Sequence, residues 1–226
     1  MKLTRLDDYQ SWLIEESGKS LLIDPWLVGD MQLPPGQWMY LRKRPNSVRV
    51  NIDSIPAIDG MLVSSHFADH LHKETLRQLD KALPVLTTPV AARMLRRIGF
   101  TGVDVLNPGA QLDIGENFRV SGIKPGFPYS HNSIGFLIEG KISKKLVYFE
   151  PHAIDERNSK TLSDGIDAVV APIELVRFLG VKLTMGPEKL VRVLSNIAPR
   201  YFLPTGLFPE KAGGFMPRFL LSYSGS

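Results

Sequence analysis

The stretch Ser64-Ser65-His66-Phe67-Ala68-Asp69-His70-Leu71-His72 sets three imidazoles around one carboxylate, directly after the apolar run Gly60-Met61-Leu62-Val63. That run, closed by Ser64, reads as a short buried strand. Leu76, Leu79 and Leu83 then recur at helical spacing, which predicts a helix over Lys73 to Leu83. The histidine-rich stretch therefore links the C-terminal end of a strand to the start of a helix.

Upstream, Lys2 to Leu6, Ser11 to Glu15 and Ser20 to Ile23 read as a meander of short strands with Gly18-Lys19 as a tight turn. Downstream, Pro84 to Thr88 reads as a strand and Pro89 to Ile98 as a helix, with Pro89 in its first turn and Gly99 at its end. Further strands are expected at Gly102 to Leu106, Asn117 to Lys124, Ser133 to Glu139 and Lys144 to Phe149. Ile166 to Ala171 reads as a buried strand, Pro187 to Ile197 as a helix and Arg200 to Leu203 as a closing strand. Strands dominate both halves with helices between some of them. This predicts an α/β domain over residues 1–226 with two sheets covered by outer helices.

The 226 residues, 43% hydrophobic and 22% charged, are those of a soluble globular protein able to bury a sizeable core. No apolar run approaches the roughly 20 residues that span a bilayer, and Met1 to Arg5 lacks a signal-peptide core. The expectation is a cytoplasmic protein with no membrane partner. With no cysteine, disulfides, thiolate ligands and cysteine nucleophiles are excluded, so any metal must be held by nitrogen and oxygen. The net charge of +4 favours anionic ligands, and nucleic acid is not expected as a partner. Much of the excess is local: Arg42, Lys43, Arg44 and Arg49 follow Trp38 and Tyr40. They form either a solvated loop or a substrate-facing one whose cations meet a phosphate or carboxylate. No Gly-rich dinucleotide loop, Gly-Lys-Ser/Thr phosphate loop or Gly-x-Ser-x-Gly elbow is present.

The five histidines fall in three places, all at expected strand ends: His66, His70 and His72; His131; and His152. That clustering points to a shared site. Asp69, His70, His72, His131, Glu150 and His152 offer enough nitrogen and oxygen donors for a divalent zinc, manganese or iron ion, which needs about three protein ligands in a catalytic site.

In this order the motifs resemble the metallo-β-lactamase-fold superfamily, in particular a lactonase-like branch related to ascorbate-6-phosphate lactonases. Ile23-Asp24-Pro25-Trp26 is similar to that branch's early element, and Ser64 to His70 falls where the family carries His-x-His-x-Asp-His. His131-Asn132-Ser133-Ile134-Gly135-Phe136 resembles the third histidine and its strand, and Tyr148-Phe149-Glu150-Pro151 falls where the family has a strand ending in Gly-Asp-Thr. The resemblance implies an αββα sandwich of two mixed sheets with outer helices and a metal site at one sheet edge. It also exposes departures. Ser65 and Phe67 stand where the first two histidines belong, Glu150 where the bridging aspartate does, and Thr205 near the last histidine. His72 and His152, two residues beyond His70 and Glu150, are candidates to compensate. Asp24 either orients the site loop or caps the turn before Pro25.

Two readings follow. In the first, a metal-dependent hydrolase with a non-standard site, zinc before manganese or iron, cleaves a small anionic ester, lactone or phosphoester. Asp69 or Glu150 handles the water proton, and Arg42, Lys43 and Arg44 hold the substrate. In the second, a catalytically inactive binding or regulatory protein keeps the sandwich, and Phe67 and Thr205 line a ligand cavity without an ion.

Overall fold

Ser17 and Gly18 take the two successive positive φ angles, 49° and 78°, that a twisted hairpin turn needs, one residue before the expected pair. They join β2 (Trp12–Glu16) to β3 (Lys19–Ile23), with β1 (Lys2–Arg5) antiparallel on the far side of β2. The computed structural model describes residues 1–44, 52–162 and 165–224, so Arg49 lies outside the described residues. Met31–Gln32 (β4) and Leu41–Arg42 (β5) pair as a small hairpin. Gly60–Val63 (β6) runs parallel to β3, followed by α1 (Lys73–Gln78), β7 (Val85–Thr87), α2 (Pro89–Ile98) and β8 (Val103–Val105). The first sheet has the order β1-β2-β3-β6-β7-β8.

Next come β9 (Gln111–Ile114), β10 (Phe118–Ile123), β11 (Gly135–Gly140), β12 (Leu146–Phe149), α3 (Glu156–Thr161) and β13 (Ala168–Pro172). Leu175–Phe178 (β14), Val181–Lys182 (β15), α4 (Gly186–Ile197), β16 (Tyr201–Thr205) and β17 (Leu221–Ser224) follow. The second sheet is ordered β16-β13-β12-β11-β10-β9, and a small third sheet β15-β14-β17.

Strand alternation divides the apolar residues into layers. Ile14, Leu21, Ile23 and Leu62 meet Phe118, Phe136, Phe149 and Val170 between the two large sheets. Leu22, Met61 and Val63 face outward under Leu76 of α1 and Leu95 of α2. Tyr148, Val169 and Ala171 face outward under Leu190, Val193 and Ile197 of α4. The result is the expected αββα sandwich of two mixed sheets.

Helix α1 is shorter than its leucine spacing predicts. Leu79 is already extended (φ −78°, ψ 154°), and the Lys81 ammonium donates to the carbonyls of Leu76, Arg77 and Leu79, closing the helix end. Leu79 and Leu83 still reach the core from non-helical backbone. Strand β9, buried only at Ile114, carries too little alternation to be recognised in advance.

Candidate functional site

Register places the site. Ile23 pairs with Leu62 in the first sheet, and Phe149, Val170 and Leu203 lie in line across the second. Asp24, Ser64 and Glu150, each just past the end of a strand, and Thr205, the last residue of β16, therefore lie at one edge of the sandwich. The sheets are tied together there by Ser64, whose carbonyl accepts from the Ile134 amide at 2.9 Å and the Ser133 hydroxyl at 3.1 Å.

Asp24 adopts φ 43°, a left-handed conformation that aspartate tolerates better than most residues. Its buried carboxylate accepts from the Ser64 amide at 2.8 Å, the Ser64 hydroxyl at 2.6 Å and His70 Nδ1 at 2.8 Å. Asp24 thus orients the site loop. On the other side of the buried His70 ring, Nε2 faces Asp69 Oδ2 at 3.4 Å. Burial works against a charge on His70, but Asp69 and Asp24 together push its pKa up to about 10. Burial likewise opposes the Asp69 charge, yet the neighbouring His70 holds that carboxyl well below the usual range. The group is one imidazolium between two carboxylates. Gln10 Nε2 donates to Asp69 at 3.1 Å, and the Tyr9 hydroxyl lies 3.5 Å away.

Glu150 is fully buried, over a glycine that makes room for it: a Cβ on Gly135 would come within 2.7 Å of Glu150 Oε2. Burial pushes the Glu150 pKa up to about 8 against the pull of the His152 and Ala153 amides, so the side chain is neutral at pH 7. His152 Nδ1 lies 3.1 Å from the Ser133 hydroxyl, whose proton is committed to the Ser64 carbonyl. Nδ1 must therefore carry the hydrogen, leaving Nε2 as an acceptor. Burial and the His70 charge, against the attraction of Asp69, hold His152 well below the ordinary histidine range, and it is neutral.

Beside this group opens a cavity of about 430 Å³, walled by Tyr9, Tyr40, Phe67, Tyr129, Phe178 and Tyr223 with Gln10, Asp69 and His152 as its polar members. Tyr129 stacks on the His152 ring at 3.8 Å between centroids, and Phe67 meets both edge-on at 6.0 and 6.2 Å. Thr205 fixes the wall from behind, accepting from Trp12 Nε1 and donating to the Tyr9 carbonyl, each at 3.0 Å. No arginine or lysine lines the cavity among the described residues.

The candidate residues divide accordingly. Asp69, His70, Glu150 and His152 gather at the strand ends. His72 does not join them: it caps α1, with Nδ1 3.0 Å from the Thr75 hydroxyl and accepting from the Thr75 amide. His131 is exposed on the loop before β11. Arg42 does not line the cavity either. Its buried guanidinium donates to the carbonyls of Phe208 at 2.6 Å and Leu207 at 3.1 Å, meets Asp8 at 3.4 Å and lies over the Tyr9 ring. Lys43 and Arg44 also lie off the cavity lining, and Arg44 meets the Trp26 carbonyl at 3.4 Å. Tyr9, Gln10, Tyr129 and Ser133 escaped the sequence reading. The polar run Asp7-Asp8-Tyr9-Gln10 between two apolar strands was the available signal.

The donor set does not fit the metal centre that the resemblance implies. Among the described residues, no group of three or more His, Cys, Asp or Glu side chains is arranged to hold an ion. Phe67 gives a ring to the cavity wall, Ser65 Oγ accepts from the Phe67 amide, and Thr205 is spent on Trp12 and Tyr9.

Two mixed sheets packed under outer helices, with loops from both meeting at one edge, define a metallo-β-lactamase-like fold. The chain belongs to the beta-lactamase superfamily domain family, whose model matches residues 4–206. Among solved structures it is similar to an isothiocyanate hydrolase from Delia radicum gut bacteria, with TM-score 0.73 and 18% identity over 92% of this chain and 85% of that one. It is also similar to a possible metal-dependent hydrolase from Veillonella parvula, with TM-score 0.69 and 13% identity over 94% and 88%. A metallo hydrolase from the archaeon Ignicoccus hospitalis has TM-score 0.63 and 16% identity over 90% and 81%. At these identities the likeness is one of fold. No curated protein matches the chain.

Proposed function

We propose that the protein binds a small, aromatic-bearing molecule that is not an anion, in the cavity beside Asp69 and His152, and that it works without the superfamily's metal centre. The observation that carries this is the lining: aromatic walls enclose about 430 Å³ around an ionised carboxylate, with no cation among the described lining residues. Arg42, Lys43 and Arg44 lie off the lining, and Arg42 donates to the carbonyls of Phe208 and Leu207 and meets Asp8, which favours a ligand other than an anion there. Ligand-observed NMR with aromatic fragments tests the reading. Binding is expected in the native protein and absent in Val176→Trp, which fills the cavity. Fragments that bind both proteins equally, or neither, would refute it.

A second reading, hydrolysis of such a molecule, draws support from His152 Nε2 and Asp69 flanking one end of the cavity. A water held there would give its proton to one of them as its oxygen attacks an acyl carbon, and the leaving group would take that proton back. The lactonase-like resemblance suits a neutral lactone better than a phosphorylated one, since the described lining offers nothing to pair with phosphate. Ester or lactone turnover that persists in His152→Ala would eliminate this version.

A further inference from the structure

Two residues of the cavity lining carry a buried polar atom with no partner in the protein. Gln10 is 3% exposed and lines the cavity, yet its Oε1 accepts no hydrogen bond because the amide is turned so that Nε2 donates to Asp69. The Tyr223 hydroxyl, on the same lining, is also buried without a partner. Such groups cost stability unless something in the cavity meets them. The contacts made to Asp69 by Gln10, Tyr9 and His70 all fall on Oδ2.

The charged groups of the lining add a second constraint: Asp69 is its one acidic side chain, and no lysine or arginine joins it, among the described residues. Arg42 lies outside the lining, its Nη1 and Nη2 donating to the carbonyls of Phe208 and Leu207. Aromatic faces around a carboxylate are an environment suited to an organic cation.

We propose that the cavity takes a protonated amine carried on an apolar or aromatic body, its ammonium N–H groups donating to the Asp69 carboxylate and Gln10 Oε1, with the Tyr9, Tyr40, Phe67 and Tyr129 rings around it. A quaternary ammonium would satisfy the charge and leave Gln10 Oε1 without a donor. An alcohol supplies one donor and no charge. A carboxylate supplies neither and repels Asp69. The inference rests on the reading of the cavity as a small-molecule site and names the ligand class for it.

Isothermal titration at pH 7 with 2-phenylethylamine, 2-phenylethanol and phenylacetate tests it on three molecules of similar size. The amine is expected to bind at least about tenfold more tightly than the alcohol, with phenylacetate weakest. Asp69→Asn should bring the amine to the level of the alcohol. Gln10→Met, which keeps the charge pattern, should lower the amine-to-alcohol ratio several-fold, and it carries the test if Asp69→Asn does not fold. Alcohol or phenylacetate binding as well as the amine would overturn this inference while leaving the small-molecule reading standing. Failure of all three to bind would overturn both.

Discussion

His70 and Asp24 are joined by a 2.8 Å contact between ring Nδ1 and carboxylate Oδ2, with neither side chain exposed to solvent. Removing one partner strands the other in a dry interior. Asp24→Ala should cost about 3 to 5 kcal/mol in urea unfolding, because the His70 charge loses the partner that stabilises it. A loss below about 1 kcal/mol would mean that the pair is not charged.

Stability should fall toward alkaline pH. His70 has a folded pKa of about 10, raised from 6.5, so its contribution is complete below 6.5 and is lost as pH rises toward 10. Glu150, raised from 4.5 to about 8, has the same sign: folding favours its protonated form, and stability declines as pH climbs from 4.5 through 8. Thermal midpoints measured from pH 5 to 10 should drop across both windows, and Glu150→Gln should flatten the lower one. A native profile flat over that range would show that folding raises neither pKa.

His72 and His131 separate a metal site from the arrangement described. His72→Ala should lose a helix cap, roughly 1 kcal/mol, and leave ligand binding in the cavity as it was. His131→Ala, on an exposed loop, should change stability by less than about 0.5 kcal/mol. Loss of binding in either variant would draw those residues back into the site.

Gly135 and Glu150 should be coupled. Gly135→Ala drives a methyl to 2.7 Å from Glu150 Oε2 and is expected to cost about 1 to 3 kcal/mol. In a Glu150→Ala background the same change should cost less than half as much. Equal costs in the two backgrounds would mean that the carboxyl does not occupy the space over the glycine.

Chelation should leave the fold alone. After dialysis against EDTA the thermal midpoint should stay within about a degree, and zinc added back should not raise it. Zinc retained near one ion per chain after metal-replete purification would overturn the conclusion that the donors do not fit a metal.

Much of the fold was legible because burial follows local periodicity. Pro89 and Gly99 bounded α2 as expected, with Gly99 in the left-handed cap at φ 111°, and the runs around β3, β6, β12 and β13 are buried on both faces. The strands β14, β15 and β17 of the small third sheet carry little pattern in the sequence because they are short and mostly half-exposed or exposed. They supply Val176, Phe178 and Tyr223 to the cavity wall.

The chain's own order determined the sandwich and put Asp69-His70 at the end of a buried strand. It could not decide between His72 and His152, each two residues beyond a site residue. Tertiary structure did. His72 enters the first turn of α1, where the nearest free donor is the Thr75 amide, three residues away. His152 meets Ser133, which the pairing of distant segments brings beside Ser64, 69 residues back along the chain. Spacing controls where a side chain points within one element, whereas convergence of loops from two sheets depends on long-range register, which no local pattern encodes.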